Sequence, residues 1–233
     1  MSASPVQKQT VPRLLVSVRD PAEAETARLA GVDLIDAKDP ERGALGALDT
    51  GIVREIVGRV AGATETSAVA DPAPAAIAAM AGLGVDWVKT GLGEPHRTDD
   101  GGLRELAAAA PGRLIAVLFA EDGPAAALVP ALAQAGFVGA MIDTSAKTGA
   151  RLPDLARPED LAAFTAACDR HGLLCGLAGS LRVIDIAGLS AYGPDYLGFR
   201  GGLCRDFDRR NGIDPVRIAE AMRALQPHRR DAA

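Results

Sequence analysis

Four lysines stand among 25 basic residues, and all the others are arginine. Three fall at or just past the end of a short apolar run. Lys38 closes "GVDLIDAKDP", Lys89 closes "DWVKTG", and Lys147 follows in "AMIDTSAKTG". The fourth, Lys8, lies near the start of the chain. A guanidinium stays charged and attacks nothing, whereas an amine can lose its proton and add to a carbonyl carbon. A free lysine titrates near ~10.4, but partial burial and a second ammonium bring such amines down to about 7–8 in enzymes that use them. Asp36 and Asp143 accompany these lysines and can relay protons. The set points to imine chemistry on an aldehyde or ketone.

The elements that must position these groups alternate. Apolar runs cover residues 14–18, 34–37, 66–70, 87–90, 114–119, 139–142, 174–177 and 196–199. Stretches of helical length cover 21–30, 50–60, 73–81, 103–109, 125–135, 158–171, 181–189 and 215–225. Eight strands separated by helices argue for βα units and parallel pairing. A repeat supports closure: Gly31-Val-Asp, Gly84-Val-Asp, Gly136-Phe-Val and Gly193-Pro-Asp each end a helix and begin a strand. Each step holds two βα units, so the chain reads as four similar quarters. The expected fold is α/β, a single-domain (β/α)8 TIM barrel over 13–225, with tails at 1–12 and 226–233. The alternative is an open doubly wound sheet.

In a barrel the chemistry sits at the carboxyl ends of the strands. Strand side chains alternate, so Leu34, Asp36 and Lys38 share the inward face, as do Trp87 with Lys89 and Met141 with Asp143. Strands 2, 4 and 6 feed one interior layer, so Lys38, Lys89 and Asp143 are expected to converge. The competing reading is a buried ion-pair cluster with a structural role, which is costly to desolvate and weak as a stabiliser.

Two glycine turns, "GLAGSL" after strand 7 and "GFRGGL" after strand 8, lie where this fold often binds phosphate. Gly179, Ser180, Arg200, Gly201 and Gly202 are the expected phosphate ligands, with helix capping by Ser180 as the alternative. Residues 39–48 and 144–157 form longer loops that either cover a substrate or are simply solvated.

Composition excludes other classes. The net charge is −5 and the sole basic block is His228-Arg229-Arg230, so no nucleic-acid partner is expected. No apolar run reaches the ~18 residues of a membrane span. Residues 1–12 contain no apolar signal core, and a cytoplasmic location is expected. Cys168, Cys175 and Cys204 have no zinc-like spacing and read as buried free thiols.

Taken together, "LLVSVRDPAEAETARLAGVDLIDAKDPERGALGA", "VDWVKTGL", "IDTSAKTG", "GLAGSL" and "PDYLGFRGGLC" resemble the (5-formylfuran-3-yl)methyl phosphate synthase family of methanofuran biosynthesis. The likeness spans roughly residues 13–205. It implies a barrel that condenses two glyceraldehyde 3-phosphates into a phosphorylated furan aldehyde, releasing phosphate and water. It implies an imine on Lys38, with Asp36, Lys89, Asp143 and Lys147 completing the site, and neither metal nor cofactor. One departure is Ala44, where the family more often has serine. A symmetric homo-oligomer is expected. Two rivals remain at this point: a class I aldolase for another sugar phosphate, and a non-catalytic phosphate-ligand sensor.

Overall fold

The computed structural model describes residues 11–93, 99–146 and 149–230. Among them are β1 (Arg13–Val18), β2 (Leu34–Ala37), β3 (Glu65–Ala70), β4 (Trp87–Gly91), β5 (Leu114–Phe119), β6 (Gly139–Asp143), β7 (Leu174–Leu177) and β8 (Tyr196–Phe199). Each strand is parallel to the next, and β8 pairs with β1 to close the barrel. The open-sheet alternative is thereby excluded.

The four-quarter repeat has a physical role. Gly31, Gly84, Gly136 and Gly193 have φ of 74°, 88°, 98° and 68°. They turn the chain sharply after α1 (Pro21–Leu29), α3 (Pro74–Ala81), α5 (Val129–Ala135) and α8 (Ile186–Ser190). In three quarters the aspartate two residues on accepts a backbone N–H from the preceding strand. Asp33 takes that of Leu14 at 2.8 Å, Asp86 that of Thr66 at 2.7 Å, and Asp195 that of Cys175 at 2.7 Å. The backbone N–H of each aspartate donates in return to the same residue's carbonyl, at 3.2, 3.0 and 2.8 Å. Val138 replaces the aspartate in the third quarter and keeps the backbone bond, to Leu114 at 2.9 Å. Each even strand is thus pinned to its odd neighbour at the floor, which fixes its register.

Alternation sorts the side chains into two layers. Leu14, Val16, Ile35, Ala37, Ala68 and Val88 point outward into the main core beneath the helices. Leu15, Leu34, Ile115, Val117, Met141, Ala178 and Tyr196 fill the barrel interior. Burying each large aliphatic side chain contributes roughly 1.5–3 kcal/mol. Asp36 and Lys89 stand above this dry plug, on the same inward faces as Leu34 and Trp87. Gly176 belongs to the plug as well. A Cβ there would lie 2.4 Å from the Tyr196 ring, so this glycine makes room for an aromatic side chain.

The remaining helices are α2 (Thr50–Val60), α4 (Asp100–Ala109), α6 (Leu152–Leu155), α7 (Pro158–His171) and α9 (Pro215–Arg230). The helix expected over 125–135 splits into a 3-10 turn, Ala125–Leu128, and α5. Pro130 explains the break, because proline fits only the first turn of an α-helix. The helix expected over 181–189 begins late, as the 3-10 turn Val183–Asp185 followed by α8. There Asp185 accepts the N–H of Arg182 at 2.8 Å and holds that residue extended. The last helix continues past 225 to Arg230, where a tail was expected. The three cysteines are free and buried. Among the described residues no helix is long and apolar enough to cross a membrane.

Tyr196 is buried and its hydroxyl has no hydrogen-bond partner. Such a group costs about 1–3 kcal/mol. Tyr196→Phe should therefore leave the urea-unfolding free energy unchanged or raise it by up to about 1 kcal/mol. A clear loss of stability would mean that the hydroxyl is satisfied in solution.

Candidate active site

β2 carries Asp36 into the barrel, where it is 0% exposed. Its Oδ1 accepts from the Ser67 hydroxyl at 2.7 Å and pairs with Lys89 Nζ at 2.7 Å. Its Oδ2 accepts from the Ser17 hydroxyl at 2.9 Å. Lys38 follows β2 directly, and its backbone N–H donates to Val18 at 3.0 Å, extending the ladder by one residue. Its Nζ lies 3.3 Å from Asp143 Oδ2, across the barrel mouth on β6. Asp143 Oδ1 accepts from the backbone N–H of Thr144 at 2.7 Å. Two lysine–carboxylate pairs are thus stacked, one deep and one at the opening.

Their electrostatics differ. Burial alone raises the Asp36 carboxyl, but the ammonium groups of Lys89 and Lys38, with hydrogen bonds from Lys89 and Ser67, outweigh it. The net shift is below the ordinary carboxylate value. For Lys89, burial is the dominant cause and lowers the amine below an ordinary lysine. Asp36 opposes this, and the nearby Lys38 charge adds to it. Lys89 is 2% exposed, the deeper of the two amines.

Lys38, Lys89 and Asp143 open onto a cavity of about 330 Å³, whose far wall is made by the two glycine turns. Gly179 has φ of 119° and Ser180 of 50°, which swing the chain after β7 over the mouth. Gly202 is required by contact: a Cβ there would lie 2.0 Å from the Leu181 carbonyl oxygen. The turns after β7 and β8 therefore touch backbone to backbone and act as one surface. The late start of α8 leaves this wall to the turns themselves.

Both long loops are held against the site. Asp39 and Gly46 form a bridge, with the Asp39 N–H donating to Gly46 at 2.8 Å, and Leu45 packs onto the interior cluster. Ala44 is buried within that loop. In the second loop, Glu121 accepts the N–H groups of Ser145 at 3.0 Å and Ala146 at 3.1 Å. Farther on, the N–H of Leu152 donates to Gly179 at 2.9 Å.

Lys38, Lys89, Asp143, Gly179, Ser180, Gly201 and Gly202 thus come together at the cavity as expected from the sequence. Lys147 lies outside the described residues. Asp36 is sealed beneath Lys89 and is not part of the cavity wall. Arg200 lines the cavity as well, but its guanidinium is turned to other partners. Its Nε donates to Arg209 O at 2.9 Å, its Nη1 to Ser17 O at 3.1 Å and to Glu23, and its Nη2 to Glu23 at 3.1 Å and Asn211 O at 3.1 Å. All five guanidinium protons have acceptors within the protein, so in this structure the side chain acts as a clasp. Sequence reasoning missed Ser17 and Ser67, although Ser17 follows Leu15 by two on the inward face of an apolar strand. It also missed Arg209, which lines the cavity from the loop after β8.

The fold and this arrangement define a TIM-barrel protein with paired amines and carboxylates at the carboxyl ends of its strands. Solved structures that share the fold include phosphoribosyl anthranilate isomerase from Thermus thermophilus (TM-score 0.68, 14% identity, 92% of this chain and 98% of that one), TrpF from Jonesia denitrificans (0.63, 19%, 94% and 98%) and a KDPGal structure (0.61, 18%, 97% and 98%). The profile of the 4-HFC-P synthase family matches residues 14–222, and the chain belongs to that family. A Methylorubrum extorquens protein, named as a candidate (5-formylfuran-3-yl)methyl phosphate synthase, is 56% identical over 95% of both chains. The (5-formylfuran-3-yl)methyl phosphate synthase of Methanopyrus kandleri is 34% identical over 86% of this chain and 93% of its own.

Two outcomes follow from the geometry. Asp36 titrates below an ordinary aspartate in the folded chain, so the unfolded chain binds more protons between the folded and unfolded values. The stabilisation is complete above that window and is lost as pH falls through the folded value. Urea unfolding at a series of acidic pH values should show this loss in the native sequence and less of it in Asp36→Asn. Gly202→Ala should push the two turns apart and cost about 1–3 kcal/mol of stability, read by thermal unfolding.

Proposed function

We propose that this chain condenses two molecules of glyceraldehyde 3-phosphate into (5-formylfuran-3-yl)methyl phosphate, with loss of phosphate and water, for methanofuran biosynthesis. The observation that carries this reading is the stacking of Lys38 with Asp143 above Lys89 with Asp36, in a cavity walled by two touching glycine turns. An amine and a carboxylate at the opening suit carbonyl capture. A second, desolvated amine beneath suits proton transfer, and backbone turns suit a phosphate.

In this reading Lys38 gives its proton to Asp143 and attacks the aldehyde of the first triose, forming an imine. The imine acidifies the neighbouring C–H. Lys89 removes that proton, and phosphate departs by elimination. The second triose joins by an aldol-type bond, ring closure with loss of water gives the furan, and hydrolysis of the imine frees the aldehyde and returns the Lys38 amine. Asp36 is sealed from the cavity, so it acts through Lys89 by holding its amine in place. Lys147 is assigned with Asp143 to proton transfer and phosphate holding. The phosphate that survives rests on Gly179, Ser180, Gly201 and Gly202.

Lys38 is favoured over Lys89 as the nucleophile because it is the more exposed of the two, 7% against 2%, and its contact with a carboxylate is longer, 3.3 against 2.7 Å. Incubation with glyceraldehyde 3-phosphate alone, followed by mass analysis, should yield the furan phosphate and free phosphate. A six-carbon sugar product would instead mean an aldolase. Borohydride added with substrate should leave a reduced adduct on the peptide containing Lys38, and an adduct on Lys89 or Lys147 would overturn that assignment. Lys38→Ala should stay folded and lose roughly 10³-fold or more in turnover.

A further inference from the structure

We propose that Arg209 supplies the side-chain cation for a phosphate bound at the Gly201–Gly202 side of the cavity. This rests on the reading that the site takes triose phosphates and deepens it by naming the residue that would recognise them.

The loop after β8 is built to present this side chain. Arg200 is tied to Glu23 and grips the carbonyl oxygens of Arg209 and Asn211, at 2.9 and 3.1 Å. It therefore fixes the backbone on both sides of residue 210. Asp206 and Phe207 have φ of 55° and 56°, a left-handed pair that turns the loop back over the mouth. The Arg209 stem then lies against the second glycine turn, with its Cβ 3.6 Å from where a Cβ on Gly201 would sit. Its Nη2 donates to the Gly43 carbonyl at 2.7 Å, which joins it to the loop after Lys38. Its Nε is buried and has no hydrogen-bond partner.

Such a donor is costly to bury unless an acceptor meets it. A phosphate is the acceptor that suits an arginine fork best. The surrounding charges agree. Burial lowers the Arg209 guanidinium somewhat, while the nearby Asp143 carboxylate supports its charge. Asp208, which shares the loop, is engaged by Arg210 at 2.6 Å. Arg182 also lines the cavity, but its guanidinium sits over the Phe207 ring at 5.0 Å. Arg200, the guanidinium expected here from sequence, acts as a positioning residue for Arg209.

The test is calorimetric titration of the full chain with glycerol 3-phosphate, which has the phosphate and lacks the carbonyl, and with glycerol as control. The native chain should bind glycerol 3-phosphate and not glycerol. Arg209→Gln should weaken that binding by about 10- to 100-fold, the value of one charge-assisted contact, and Arg209→Lys should recover part of it. The KM for glyceraldehyde 3-phosphate should rise more than kcat falls. Equal binding by Arg209→Gln and the native chain overturns the proposal. So does a native chain that fails to prefer glycerol 3-phosphate, or a loss seen with Arg182→Gln and not with Arg209→Gln. If Arg209→Gln fails to fold by circular dichroism, Arg209→Lys decides, because it keeps the charge and loses the fork. An affinity lowered several-fold supports the proposal, and native affinity refutes it. Glycerol 3-phosphate cannot form an imine, so this result stands whether or not a furan is made. Furan production with unaltered binding in Arg209→Gln would sink this inference alone.

Discussion

A carboxylate removed entirely from water must have its lone pairs filled, and Asp36 meets that requirement with three donors at once. The hydroxyls of Ser17 and Ser67 and the amine of Lys89 come from β1, β3 and β4. Neighbouring strands must therefore hold a common register before the charge can be buried at tolerable cost. In return, the carboxylate fixes Lys89 at the top of the apolar plug. Lys38 then stands above it, against Asp143. The order of charges from floor to mouth follows from satisfying one buried group.

The fourfold repeat serves the same end from below. Asp33, Asp86 and Asp195 each bind a backbone N–H at a strand start, so register is fixed at the floor before it is used at the mouth. Tertiary packing of the helices adds most of the apolar burial, but it does not choose register. A slip of one residue on β2 would send Asp36 outward into the helical layer and Ile35 inward.

What could be read from the sequence was whatever obeys a period. Alternation within strands was enough to bring Lys38, Lys89 and Asp143 to one mouth, because strand direction and face are fixed by the repeat of two. Spacing of the glycine–valine–aspartate motif was enough for a closed barrel. Long-range partners obey no period. Arg200 and Arg209 stand nine residues apart on one loop. Both line the cavity, but Glu23, far away on α1, pairs with the first and occupies its guanidinium. The roles of Ser17 and Ser67 depend likewise on a carboxylate two strands' neighbours share. Helix starts drifted where a local side chain competed, as Asp185 does with the backbone at Arg182 and as Pro130 does in α5.

The contact between Gly202 and Leu181 also bears on how such a pocket can diversify. Two backbones already at van der Waals distance leave no room for added atoms, so that wall can neither thicken nor receive side chains. Changes of ligand size would have to come from the opposite rim, where residues 39–48 cross the opening, held by the bridge between Asp39 and Gly46 and by side-chain contacts of the loop. One side of the barrel is thus a fixed jaw and the other an adjustable one, and related sequences that accept bulkier molecules should differ first in the adjustable half.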